Sequence, residues 1–176
     1  MHLIARRSAE DLLAALAAGR DLRTGSAPWT LKFIERATGQ FGQWREVEID
    51  GATALAIILP PHNGEPCKGD RLALVPGGGA TVAEAARSLG AIRVEYERNN
   101  PTCWGRIAEA SDQAFSTIIL TSAPLDADEY RSIAPAAGRL YHLDGFHRLV
   151  GWALAGRITP DVRLRAFVAV GSDPQP

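Results

Sequence analysis

The last third of the chain switches between the two hydrophobic periods in a fixed order, and that order limits the fold more than any other feature of the sequence. Residues 117–120, 139–143 and 162–170 read as strands, the last as V-R-L-R-A-F-V-A-V. Residues 126–133 and 149–155 read as helices. Strand, helix, strand, helix, strand is the signature of a sheet with helices packed on it. The expected class is α/β (α+β), a small mixed sheet with flanking helices.

The first 112 residues carry the same kinds of signal less regularly. Ser8-Ala-Glu-Asp11 reads as a capping box opening a helix with Leu12, Leu13 and Leu16 on its apolar stripe and Gly19 at its end. Residues 28–38 suggest a second short helix closed by Gly39. Residues 44–49, W-R-E-V-E-I, alternate as a strand; Asp50-Gly51 is a hairpin signal, and residues 52–59 would be the returning strand. A Pro- and Gly-rich loop is expected over residues 60–70. A short buried strand (72–75), a triple-glycine turn and a helix over residues 81–89 follow, with Thr81 as N-cap and Gly90 as its end. Residues 92–96 read as a strand. Residues 101–112 read as a helix with Asn100 at the N-cap and Pro101 in the first turn. The organisation expected is an N-terminal α/β region of unassigned role (1–112), a C-terminal module (113–170) and a loose tail (171–176).

Bulk properties narrow the function. A chain of 176 residues, 46% hydrophobic, can bury one core. No apolar run approaches the roughly 18 residues needed to span a bilayer. Arg6, Arg7, Glu10 and Asp11 interrupt any leader-like stretch. Cys67 and Cys103 do not make a disulfide framework, so a reduced, cytoplasmic setting with no membrane association is expected. The net charge of -1 argues against a general nucleic-acid binder. Locally the balance reverses: Arg131, Arg139, Arg148, Arg157, Arg163 and Arg165 face only Asp144 and Asp161 between residues 131 and 165.

The segment L-Y-H-L-D-G-F-H-R-L-V-G-W concentrates the chemistry. Alternation in a strand places His142 and Asp144 on one side. Gly145 permits a tight turn, and the helix that follows offers unpartnered N–H groups and the positive end of its dipole to an anion. Arg148 can fork onto phosphate oxygens, and His147 can donate one more hydrogen bond. Asp144 can accept a proton or hold a divalent cation against a polyphosphate. The bland alternative makes Asp144 a helix cap, Arg148 a surface residue and His147 a satisfied polar group.

This stretch resembles the phosphate-binding motif of the ParB/sulfiredoxin-like superfamily, in which D-G-x-H-R or G-x-x-R lies between a strand and a helix. The similarity covers about residues 115–170. It implies a ParB/sulfiredoxin-like module that binds nucleotide phosphates through Gly145, Phe146, His147 and Arg148. It further implies ATP or CTP with Mg2+, Asp144 beside the metal or the acceptor hydroxyl, and an upstream catalytic glutamate, for which Glu129 and Glu109 are the candidates. The expected function is magnesium- and nucleotide-dependent phosphoryl transfer or hydrolysis on a small-molecule acceptor. The alternative is a non-catalytic nucleotide- or anion-sensing module acting through a protein partner. Phe146 stands where sulfiredoxins have their reactive cysteine, which argues against sulfinic acid reduction. No helix-turn-helix follows the motif, so tight binding to duplex DNA is not expected.

Other signals are weaker. Val75-Pro-Gly-Gly-Gly-Ala-Thr81 lacks the Gly-Lys-Ser/Thr of a P-loop. His142, Asp144 and His147 make a possible metal cluster, but His147 lies beyond the turn. Cys67, Cys103 and His62 lack zinc-site spacing and read as buried or idle thiols with a separate histidine. Trp29, Trp44, Trp104 and Trp152 read as core or interface aromatics, with Trp152 packed on the sheet rather than walling the site.

Overall fold

The computed structural model describes residues 1–19, 27–62 and 72–171. A five-stranded mixed sheet runs in the order β1-β2-β5-β3-β4, formed by His2–Arg7, Gln43–Asp50, Arg163–Val170, Ile118–Thr121 and Tyr141–Asp144 respectively. β5 pairs antiparallel with β2 and parallel with β3, and β3 pairs antiparallel with β4. Because β2 and β5 pair along their whole lengths, regions 1–112 and 113–170 share one sheet.

Period-two alternation in β5 explains why helices cover both faces. Leu164, Ala166 and Val168 join one buried cluster, Phe167 and Ala169 the other. The first face carries α4 (Val82–Asn99), α5 (Pro101–Asp112) and α6 (Phe146–Leu154), through Leu89, Tyr96, Ile107 and Leu149. The second carries α1 (Ala9–Gly19) and α2 (Ala27–Phe41), through Leu12, Ile34 and Phe41. The Ser8–Asp11 capping box forms, with each backbone N–H donating to the other side chain. Thr81 and Glu84 do the same at the start of α4.

Several local expectations give way to packing. Residues 52–59 are not a returning strand: the Asp50 carboxylate accepts from Thr53 N–H and caps α3 (Gly51–Leu55), and only the end of the segment stays extended, with Ile58 bonded to Leu140 and His142 on one side and Ile57 and Leu59 bonded to Val82 and Ala80 on the other. Residues 92–96 lie inside α4, which passes Gly90 and kinks at Ile92. Five alternating residues cannot decide between strand and helix; burial of Ala85, Ala86, Leu89 and Tyr96 at helical spacing decides here. Residues 126–133 form a 3-10 turn (Asp128–Tyr130) instead of a helix, pinned by the Tyr130 hydroxyl donating to His142 O. Residues 72–75 contribute one bridge, Val75 with His62. Helix α2 continues through Gly39 to Phe41. β1 has no counterpart in the sequence reading. The 60–70 loop beyond His62, including Cys67, and the tail beyond Gly171 lie outside the described residues. Among the described residues, no helix is long and apolar enough to cross a membrane.

Candidate functional site

β4 delivers the motif to the end of the sheet, and Gly145 turns it. Its φ of +103° lies in the left-handed region, and a Cβ there would meet Ile118 Cγ2 at 2.8 Å. α6 starts at the next residue, and no side chain caps it. Its first residues, whose N–H groups have no partner within the helix, line a cleft of about 360 Å³. α2 walls that cleft with Trp29, Thr30 and Phe33, α5 with Arg106 and Glu109, and His62 closes one side.

Asp144 and Arg148 form one unit. Arg148 Nη2 donates to Asp144 Oδ2 at 2.8 Å, and the Thr30 hydroxyl donates to Oδ1 at 2.8 Å. Arg148 Nη1 also donates to Ser116 Oγ at 2.7 Å and Thr117 O at 2.8 Å. Asp144 is buried and Arg148 partly so, and the positive charge that accompanies the carboxylate is its own helix neighbour. The guanidinium therefore already serves β3 and Asp144, as well as facing the cleft.

His142 has a different environment. It is 6% exposed and lines the cleft, and neither ring nitrogen has a hydrogen-bond partner among the described residues. Buried polar atoms are nearly always satisfied, so these two nitrogens are an exception at the cleft wall, one that a ligand in the cleft meets when the ring turns toward it. Burial holds its pKa down at about 4, against the opposing pull of the Asp144 charge. Burial likewise lowers His62 to about 4 and His147 to about 3, with Arg106 adding to both. All three imidazoles are neutral at pH 7 and keep a lone pair.

His147 does not turn to the cleft alone. Its Nε2 lies 3.4 Å from Cys103 Sγ, and His62 Nε2 lies 3.1 Å from the same sulfur. The Tyr96 hydroxyl completes the surroundings at 3.1 Å. Phe146 stacks on the His62 ring, 4.0 Å between centroids at 20°.

The structure thus brings Asp144, Gly145, Phe146, His147 and Arg148 together at one cleft, but Phe146 is buried and engaged with His62. Glu129 does not join them: it sits on the 3-10 turn, away from the cleft lining, whereas Glu109 on α5 lines it. The arginine concentration disperses. Arg157 donates to Ser111 O and Gln113 O, Arg131 pairs with Asp128, and Arg165 approaches Glu46. Trp152 is fully buried in the core. Thr30 and Arg106 carry no signal in the sequence, and Cys103 and His62 read there as an idle thiol and a separate histidine, because all four join the motif only in three dimensions. The N-terminal region, unassigned from sequence, supplies half of the site.

A family model described as a family of unknown function, DUF6309, matches residues 20–176. No curated protein and no solved structure matches the chain.

Proposed function

Because the chain belongs to a family of unknown function, DUF6309, we propose its function from the site itself: the cleft before α6 binds a phosphate-bearing small molecule, and phosphoryl transfer or hydrolysis runs there. The observation that carries this reading is His142, buried at the cleft wall without a hydrogen-bond partner among the described residues, beside an uncapped helix N-terminus. Together they offer a neutral N–H donor and several backbone N–H donors to one anion. Arg106, from α5, adds positive charge to the cleft lining. The resemblance of D-G-F-H-R to the ParB/sulfiredoxin-like motif supports a nucleotide as the class of ligand, and ATP and CTP are the first to test.

Asp144 is the catalytic candidate. At rest its carboxylate is held by Thr30 and Arg148. An incoming phosphate competes for the Arg148 guanidinium, and an Asp144 oxygen released by that competition can accept a proton from an attacking hydroxyl or water. A magnesium ion fits Asp144 poorly in the resting arrangement, since a guanidinium already occupies the position a cation would take. The same engagement of Asp144 favours a second reading, a sensor that binds the anion without turnover and signals through a protein partner.

Calorimetry with ATP, CTP, pyrophosphate and sulfate tests the binding. A ligand at 100-fold its Kd stabilises the fold by about 2.7 kcal/mol, a shift that thermal denaturation reads directly. Absence of both heat and thermal shift at millimolar concentration of all four overturns the reading. Release of diphosphate or phosphate from a bound nucleotide distinguishes the enzyme from the sensor.

A further inference from the structure

Cys103 is 4% exposed, and a buried cysteine ordinarily behaves as a small apolar side chain. Here its sulfur is approached by two imidazole nitrogens and a phenol oxygen from separate parts of the chain. A thiol has one weak proton to give, so it satisfies at most one imidazole lone pair and leaves the other ring to an N–H tautomer against a weak sulfur acceptor. One cation at the centre satisfies the sulfur and both nitrogens together.

The geometry suits such an ion. A tetrahedral zinc site with Zn–S of about 2.3 Å and Zn–N of about 2.0 Å separates its sulfur and nitrogen ligands by roughly 3.5 Å. The two sulfur–nitrogen separations here are 3.1 and 3.4 Å; the three ligand atoms lie within 4.8 Å of one another, and since two nitrogens on one zinc stand roughly 3.4 Å apart, the imidazoles close on the ion as it binds. The ligands are also held in place. His62 is fixed by the ladder bonds its backbone makes with Val75 and Leu74, and by the stacked Phe146. Cys103 and His147 sit in the first turns of α5 and α6, which meet closely at Gly151. The Tyr96 hydroxyl on the sulfur is the kind of outer partner that orients and tunes a metal-bound thiolate.

We infer that His62 Nε2, Cys103 Sγ and His147 Nε2 form a binding site for a borderline-soft divalent cation of the zinc class, with a remaining coordination position toward the cleft. The mixed nitrogen and sulfur set selects zinc, cobalt or copper over magnesium and calcium, which take oxygen ligands. Three protein ligands with a further position for water or substrate is the arrangement of reactive rather than purely structural zinc. His62 and His147 line the cleft, so an ion held between them stands at its wall. Binding displaces the Cys103 proton to solvent, so metal uptake releases one proton per chain. The site rests on the cluster's own geometry and does not depend on the phosphate reading.

Cobalt titration of the full chain, freed of metal by a chelator and desalted, tests it without any nucleotide. One equivalent of Co2+ is expected to give tetrahedral d–d bands and a thiolate-to-cobalt charge-transfer band, both removed by Zn2+. Cys103→Ser is expected to lose the charge-transfer band and to bind Zn2+ about 100-fold more weakly or worse. His62→Gln, which leaves the thiol, is expected to weaken Zn2+ comparably and shift the d–d bands, so the test survives if one variant fails to fold. Failure of the folded parent to bind Co2+, an octahedral spectrum, or a charge-transfer band retained in Cys103→Ser overturns the assignment.

Discussion

Arg148 reaches back one helical turn to Asp144 and holds its carboxylate at 2.8 Å, so the two residues are one electrostatic unit. The sequence suggests separate duties, phosphate for one and turnover for the other. The structure couples them. Removing Arg148 takes from a buried carboxylate the guanidinium that holds its Oδ2, a loss of about 3 kcal/mol. Arg148→Ala is therefore expected to lower the urea midpoint sharply. Adding Asp144→Asn to Arg148→Ala should recover part of that loss, because the buried charge that the guanidinium served is gone as well. Additive effects in the double-mutant cycle would show that the pair is not coupled.

A second prediction concerns the contact that positions the site. A Cβ on Gly151 would meet Ile107 O at 2.6 Å and Ser111 N at 3.1 Å, so α6 lies directly on the α5 backbone. Gly151→Ala should cost about 1–3 kcal/mol as the helices part. Since α5 carries Cys103 and Arg106, the same substitution should weaken zinc and phosphate binding. An unchanged Tm would contradict the close packing.

How far the sequence could be read follows from these contacts. β5 is legible from its eight-residue alternation, α6 from its apolar stripe and the explicit Asp-Gly turn before it, and β3 and β4 as compact runs of four residues. α5 was legible because Asn100-Pro101 marks its start, although the Asn100 side chain donates to Leu72 O and makes no cap bond. Residues 52–59 and 92–96 misled because short apolar runs fit either period, and tertiary burial chose the helix for 92–96. Within the site, the D-G-F-H-R cluster was visible as a string. The His62–Cys103–His147 cluster was not, because its members are separated by 41 and 44 residues and no local spacing links them. Glu129 is a candidate through the family resemblance alone, which gives no register for an upstream glutamate, and it lies on the 3-10 turn outside the cleft lining.

A third prediction is the acid limb of stability. In metal-free protein, His62, His142 and His147 have pKa values near 4, 4 and 3, below the ordinary value of about 6.5 that the unfolded chain restores. Between pH 6.5 and about 4 the unfolded chain therefore binds more protons than the native one. Stability is full above pH 6.5 and falls as the pH drops through that window, by up to about 1.4 kcal/mol per pH unit for each histidine. Urea denaturation in the presence of a chelator should show this slope. A midpoint independent of pH from 7 to 4.5 would mean the imidazoles are not buried as described.

The last prediction sets binding against stability at one residue. His142 occupies a buried position where both its nitrogens lack a hydrogen-bond partner among the described residues, and its ring meets Phe146 edge to face at 5.9 Å. Phenylalanine fits nearly the same shape and brings no polar atoms to satisfy. Leaving buried polar groups unmade costs about 1–3 kcal/mol, so His142→Phe should be more stable than the parent by an amount of about 1 kcal/mol or more. If the ring donates to a bound phosphate, the same change removes a hydrogen bond to a charged group. Affinity for pyrophosphate or nucleotide should then fall about tenfold or more. The two readouts move in opposite directions, which general damage to the fold cannot produce, since damage lowers both. A purely packing role gives a third pattern, with stability raised and affinity untouched. Measuring Tm and calorimetric affinity on this one variant separates these cases, and affinity unchanged beside raised stability removes His142 from the anion site.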